Sequence, residues 1–478
     1  MNGSKLILVT GATGYVGARL IPRLLQRGYA VRVLVRNRDK LTRFPWRTSV
    51  QTVVGDVLTP QTLGPALAGV DAAYYLVHSM TAGPDFAQQD LTAARNFGRA
   101  AQNAGVKRVI YLGALGNEQA RLSEHLRSRH ETGQALRETG VSVTEFRAAI
   151  IVGAGSISFE MIRYLTDRVP TMICPRWVRT KVQPIAIEDV LAYLLAALEN
   201  RAGADQIVEI GGTDVLTYGD MMKGYARARG LPRWLFHVPV LTPRLSSYWV
   251  HWVTPVSAAY ARPLIEGLRN EVIVTDDRAT ELFPEIKPAG YLQAVRNALA
   301  QLDPAHVSDT PADSADVERH TCSTSILDGM IIERRQTAVH AHPAAVFEAF
   351  MQLGGSHGWP CNAAWRLRAA LDRVVGGVGM RRSQPQTTQI QAGDTIDFFR
   401  VVAVEPDRMI RLKAEMKLPG AGWLQFEAQP LDDEHTRLVQ TVFFAPKGLL
   451  GILYWYLVYP AHKLIFAKMI EQLASQAQ

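Results

Sequence analysis

Val9-Thr10-Gly11-Ala12-Thr13-Gly14-Tyr15-Val16-Gly17 is preceded by the apolar run Leu6-Ile7-Leu8-Val9 and followed by the amphipathic segment Ala18 to Gly28. The apolar run reads as a buried strand, and the segment behind the glycines as a helix that Gly28 ends. The three glycines have separate uses: Gly11 permits the tight turn, Gly14 lets a pyrophosphate approach the backbone, and Gly17 lets the helix pack closely on the strand. Thr13, Tyr15 and Val16 complete the loop, and the helix N-terminus faces the phosphates. Strand, glycine spacing and helix agree, which lifts the motif above an isolated Gly-rich turn.

Working outward, Ala30 to Val35 reads as a second strand, and Val53-Val54-Gly55-Asp56 closes a third. Strand, helix, strand is the signature of a parallel sheet. At the end of the second strand, where an acid would hold a ribose hydroxyl, Val35 is followed by Arg36-Asn37-Arg38. Arginine there complements a 2′-phosphate, so the pattern predicts NADP(H) over NAD(H), with Arg36 and Arg38 as its ligands. The competing view makes them solvated loop charges. Asp56 is placed to accept from the adenine amino group, with Val57 against the ring; an Asx turn or helix cap is the alternative for Asp56.

Ala72 to Val77 reads as a fourth strand ending in His78-Ser79-Met80, and strand carboxyl ends point at the ligand crevice, which puts His78 and Ser79 near the nicotinamide ribose or the diphosphate. A purely structural His78 is equally open. Asp85 to Ala104 is expected to be a helix and Val106 to Leu112 a strand, and Gly113 behind it joins the cofactor residues. Leu122 to Glu138 then reads as a helix ended by Gly140, and Val141 to Phe146 as a sixth strand.

These features resemble an extended or atypical short-chain dehydrogenase/reductase, of the NAD(P)-binding group that includes NmrA-like proteins and the Rossmann-type accessory subunit of respiratory complex I. The resemblance is carried by Thr10 to Gly17, Gly55-Asp56, Phe146-Arg-Ala-Ala-Ile-Ile-Val-Gly153 and Gln183-Pro-Ile-Ala-Ile-Glu-Asp-Val190, and spans about residues 1 to 300. It implies a doubly wound α/β fold, and a serine or threonine after the fifth strand with Tyr-x-x-x-Lys on the next helix. Here the first reads Leu112-Gly113-Ala114, without a hydroxyl, and the best register for the second gives His125 and Arg129. A spacing of four keeps both on one helix face. His125 can act as general acid, since imidazole titrates near neutrality, while Arg129 supplies fixed charge but exchanges no proton. The alternative is a dinucleotide site whose catalytic tyrosine has been lost.

At 478 residues, two or three domains are expected. A net charge of +8 and a pI near 9.4 suit an anionic ligand, an anionic membrane surface or solubility alone. No Lys/Arg run interleaves with aromatics, which argues against nucleic acid. Cys174, Cys322 and Cys361 are too few and too scattered for a disulfide framework or zinc site, which fits a reducing cytoplasm. No signal-peptide pattern opens the chain.

Residues from about 154 to 300 are expected to form a substrate lobe. Apolar Phe159, Met161, Ile162, Tyr164 and Leu165, with Trp- and Tyr-rich stretches at 230–240 and 246–260, suit a bulky hydrophobic substrate. Ordinary core packing explains any one of them as well. The acidic, small-residue-rich stretch from Asp303 to Glu318 reads as a linker within 302–325, and order is expected from about 326 to the end.

There, a strand over Glu333 to His342, a helix opened by Pro343, four strands between Thr395 and Phe444 and a helix from Leu449 to Leu473 resemble the START/Bet v 1-like (SRPBCC) helix-grip fold. The same segment is similar to the uncharacterised DUF2867-type domain of bacterial proteins with this architecture. The resemblance implies a cavity for an apolar ligand between sheet and helix. The run Leu449 to Tyr459 is too short to span a bilayer by itself, and it reads as the buried gripping helix. An interfacial helix flanked by Lys447, Lys463 and Lys468, and thus a peripheral contact with the inner membrane face, is the alternative. His340 and His342 share a strand face but lack further ligands for a metal.

The sequence therefore predicts an NADP(H)-binding oxidoreductase acting on a hydrophobic carbonyl, quinone or enone, with an appended domain for a lipid-like ligand. Its alternative is a non-catalytic NADP(H)-dependent redox sensor or assembly factor. The substrate and oligomeric state are not legible.

Overall fold

β1 (Leu6–Thr10) is apolar on both faces because it lies mid-sheet: Ile7 and Val9 face one layer of helices and Leu8 the other. The computed structural model describes residues 5–42, 44–78, 85–200, 202–238, 266–302, 304, 321–327, 329–354, 359, 362–374, 376–379 and 390–478. Ser79, the aromatic stretch 246–260, Cys361 and nearly all of the acidic linker lie outside them.

The chain forms two compact units that part near Gln301. In the first, β1 pairs in parallel with β2 (Ala30–Val35) on one side and with β4 (Ala72–Tyr75) on the other, Val9 lying between Val33 and Tyr74. With β3 (Gln51–Val54), β5 (Arg108–Ala114), β6 (Val143–Ala148) and β7 (Ile207–Ile210), the order is β7-β6-β5-β4-β1-β2-β3, parallel throughout. The chain leaves the β3 edge and returns beside β1 as β4. That reversal opens a crevice at the carboxyl ends of β1 and β4, where a doubly wound sheet binds its ligand.

Helices cover both faces. α1 (Tyr15–Gln26) buries Leu20, Ile21 and Leu24 beneath the glycine loop, in one core with Val190, Leu191 and Leu194 of a later helix, Ile187–Ala196. On the opposite face α2 (Phe86–Asn103) and α3 (Glu124–Arg137) pack on β4 and β5 through Ala94, Phe97 and Leu136. A separate apolar cluster joins α4 (Ile157–Arg168), α5 (Tyr218–Arg229) and α6 (Tyr291–Ala300) into a lobe beyond the carboxyl ends of β5 and β6.

The second unit is a seven-stranded antiparallel sheet. Its strands are β8 (Thr321–Leu327), β9 (Met330–Val339), β10 (Thr395–Ile396), β11 (Phe399–Glu405), β12 (Met409–Ala414), β13 (Gly420–Pro430) and β14 (Thr436–Pro446), in the order β8-β9-β14-β13-β12-β11-β10. α7 (Pro343–Met351) and α9 (Gly448–Ala477) pack on it, and α8 (Asn362–Val374) lies between α7 and β10 in sequence. β8 starts inside the stretch read as linker, because Thr321 to Leu327 is polar enough to be an edge strand. The histidine pair is corrected as well: β9 stops at Val339, so His340 and His342 sit in the turn before α7, and His340 meets His435 at a tilt with ring centroids 4.9 Å apart.

Candidate active site

The glycine loop has the conformation its sequence requires. Gly11 has φ +67°, and a Cβ there would come within 2.5 Å of the Leu76 carbonyl oxygen. A Cβ on Gly17 would strike the Gly11 carbonyl, whereas one on Gly14 would meet only that same oxygen, at 3.1 Å. Gly11 thus makes the turn, Gly17 the close approach of α1, and Gly14 leaves its outer side open for a phosphate. Gly14 is also the N-cap of α1, with no side chain bonded across the helix end and no acid in the first turn. Thr13, Tyr15 and Val16 flank it, and Gly153 makes room for the Tyr15 hydroxyl, against which a Cβ would collide. The loop, its φ and its bare helix end fit a dinucleotide pyrophosphate.

Around this loop the other expected cofactor residues separate. Arg36 is exposed just past β2, with no side-chain partner among the described residues. Arg38 is exposed too, and its guanidinium approaches the Thr52 carbonyl at 3.4 Å. Asp56 accepts from the Leu58 N–H at 3.0 Å through one carboxylate oxygen, so the Asx turn is formed and the other oxygen remains for a ligand. Val57 is corrected: it is 8% exposed and belongs to the apolar cluster of Leu63 and Phe97, because the turn after β3 points it inward. Gly113, one residue before the end of β5, lies against the Tyr111 ring and the Glu145 carboxylate, where a Cβ would lie 3.2 and 3.3 Å from them.

His78 and His125, 47 residues apart in sequence, meet at the carboxyl end of β4. Their Nε2 and Nδ1 atoms are 3.2 Å apart, and His78 Nδ1 lies 2.9 Å from Asp90 Oδ2. Ser128 Oγ donates to the same carboxylate oxygen at 3.3 Å. Burial depresses the affinity of both imidazoles for a proton, and the Arg129 charge adds to this; His125 falls to about 3, with His78 the second cause, while for His78 the bonded Asp90 opposes the fall. Since a carboxylate only accepts, His78 donates its Nδ1–H to Asp90 and presents Nε2 to His125 as an acceptor. His125 then donates through Nδ1 and exposes a bare Nε2. One added proton, held on His78 beside Asp90, reverses the middle bond and leaves an N–H at His125 Nε2.

His125 stands in the wall of a mainly apolar cavity of about 140 Å³ between the ends of β5 and β6 and the lobe beyond them. Ala114, Ile150, Met161, Trp177, Tyr218 and Met222 line it. A cavity of roughly 150 Å³ holds a benzene-sized ring. The Trp177 indole N–H is buried there without a hydrogen-bond partner, an unanswered donor in an otherwise oily wall. Arg129 is not in this wall. Its guanidinium bonds the Leu112 carbonyl and lies over the Tyr111 ring, with Cζ 4.9 Å from the centroid. It is a positioning residue that anchors α3 to β5 and biases the histidine pair. Farther along, the fully buried Glu145 is held by Arg147, at 2.7 Å, and by Arg137, bracing α3 against β6.

The sequence reading missed Asp90, Ser128, Tyr218 and the donor on Trp177. Asp90 left a usable signal: it lies on the stripe Phe86, Asp90, Ala94, Phe97, and a lone acid on the buried face of a helix needs a partner. The others gave none, since their neighbours come from distant parts of the chain.

Fold and site together define an NAD(P)H-binding Rossmann domain. Residues 11–156 match the family model described as NAD(P)H-binding, and residues 330–469 match the protein of unknown function family DUF2867. Ceramide reductase of Caulobacter vibrioides is 30% identical over 240 residues, 49% of this chain and 74% of that protein. Through that half, the chain belongs to the reductase family of that enzyme. A (4-alkanoyl-5-oxo-2,5-dihydrofuran-3-yl)methyl phosphate reductase of Streptomyces griseus is 29% identical over 48% of this chain and 75% of its own length. In fold, the first unit is like the NADPH-dependent quinone oxidoreductase QOR2 of Escherichia coli, with TM-score 0.50 and 18% identity over 61% of this chain and 99% of that one.

Proposed function

We propose that the protein is an NADPH-dependent reductase of a hydrophobic carbonyl, quinone or enone, with His125 delivering the proton. The observation that carries this reading is a hydrogen-bonded pair, His78 and His125 backed by Asp90, ending in the wall of a mainly apolar ring-sized cavity. Bound NADPH supplies a hydride. His125 Nε2–H gives its proton to the substrate oxygen while His125 Nδ1 takes the proton held on His78, so the positive charge is lost beside Asp90 and not in the cavity. Trp177 offers a second donor to that oxygen, and the apolar walls exclude water. Arg36, exposed and without a side-chain partner among the described residues, and Arg38, exposed and held only by a 3.4 Å bond to the Thr52 carbonyl, support NADPH over NADH. The reductase names of the relatives support the reaction class.

The second unit, in this reading, holds an apolar ligand. A cavity of about 70 Å³ lies between its sheet and α9, walled by Trp365, Phe399, Trp423 and Phe466, with Arg368 and His462 as polar groups. The indole N–H of Trp365 and Nδ1 of His462 are buried there without partners, a recognition pattern for a ligand carrying one oxygen.

The test is loss of nicotinamide absorbance with NADPH and a panel of naphthoquinones, cyclic enones and long-chain aldehydes. Turnover of at least one class is expected, and His125→Ala should lower it about 10²- to 10⁴-fold, the usual contribution of a general acid. No turnover across the panel would favour the cofactor sensor instead, and full activity in the variant would remove His125 from the chemistry.

A further inference from the structure

We infer that the outward face of α9 docks the second unit on the surface of an anionic lipid bilayer. Its inner face is spoken for: Gly451, Trp455, Phe466, Met469, Ile470 and Leu473 are buried, and the helix packs on β9, β14 and α7. Its outer face is apolar yet uncovered, and this corrects the expectation of a wholly buried gripping helix. Leu450 is 75% and Leu457 81% exposed, and Leu453, Tyr456 and Leu464 are exposed with them. These positions recur at helical spacing and form one stripe about 21 Å long, at 1.5 Å per residue. A contiguous apolar stripe of this kind marks an interaction surface.

The charges choose its occupant. On α9 no carboxylate occurs before Glu471, whereas Lys447, Lys463 and Lys468 are exposed at the ends of the stripe and beside it. A second copy laid along the stripe would set lysines against lysines with no acid between Leu450 and Leu464 to answer them. Anionic lipid headgroups answer the lysines, and acyl chains take the leucines. Tyr456 on the stripe, with half-buried Tyr454 and Tyr459 beside it, suits the headgroup boundary. α9 is the one helix among the described residues long and apolar enough to cross a membrane, at 30 residues. In this proposal it lies in the plane of the surface, since Trp455, Phe466, Met469, Ile470 and Leu473 already hold one side of it against the sheet and α7.

Sedimentation of the full-length protein with vesicles tests this. Vesicles of phosphatidylcholine with about a third phosphatidylglycerol should bind at least about tenfold more protein than phosphatidylcholine alone, and salt should weaken the binding. A Leu453→Glu/Leu457→Glu variant should lose it, and Lys463→Gln/Lys468→Gln should erase most of the preference for phosphatidylglycerol. NADPH affinity and the thermal transition serve as folding controls, and both variants should keep them. Failure to bind either vesicle, or binding indifferent to the leucine pair, would overturn the proposal. So would a wild-type dimer that the leucine variant turns into monomers without any vesicle binding, which would assign the stripe to a second copy.

Discussion

At the scale of single residues, the pair of imidazoles has a preferred direction of proton flow. Burial and Arg129 hold both His78 and His125 below the ordinary imidazole value of about 6.5, so near neutrality the pair carries no extra proton and His125 Nε2 accepts. Lowering the pH loads the shared proton, and the two rings titrate as one unit. Reduction should therefore accelerate only as pH falls below that ordinary value, into the lowered range of the pair, and the reverse oxidation should be favoured as pH rises. Asp90 raises the proton affinity of His78, so Asp90→Asn should move the profile to lower pH and slow reduction at pH 7 about tenfold per unit of displacement. A pH–rate profile that Asp90→Asn leaves in place would remove the carboxylate from the relay.

At the scale of elements, the strand, the glycine loop and α1 were legible because each glycine answers a local backbone demand. Gly17→Ala tests this: the new methyl meets the Gly11 carbonyl, and overpacking there should cost about 1–3 kcal/mol in thermal or denaturant unfolding and weaken dinucleotide binding. Unchanged stability and binding would mean that α1 can retreat freely from the loop. α3 was legible in extent, and the register that put His125 and Arg129 on one face holds. Their division of labour was not legible, because it depends on Leu112 and Tyr111 lying beneath Arg129 and on His78 arriving from another strand. Val57 shows the converse error: its neighbours in sequence suit an adenine edge, but the turn after β3 faces it into the core. In α9 the composition permitted both a gripping helix and an interfacial one, and the structure buries one face and leaves the other exposed.

For the whole molecule, the parallel, doubly wound character of the first sheet followed from alternating strand and helix signals, and the antiparallel character of the second unit from its run of successive strands; the order of the strands came from the structure. The linings of the two cavities were not legible either, since one draws its walls from between Ala114 and Val272 and the other from between Trp365 and Phe466. The chain thus joins an NAD(P)H-binding unit, with His125 in the wall of its mainly apolar cavity, to a second unit with its own small cavity and a lysine-bordered apolar stripe. All of this rests on NADPH lying across the glycine loop with its 2′-phosphate toward Arg36. Calorimetric titration of the full-length protein with NADPH and with NADH, repeated on Arg36→Ala, examines that directly. The expected result is tighter binding of NADPH, a loss of about tenfold or more in the variant, as befits a charge-assisted contact worth roughly 1.5–3 kcal/mol, and unchanged NADH affinity. Equal affinity for the two nucleotides, or an Arg36→Ala effect of the same size on both, would contradict it.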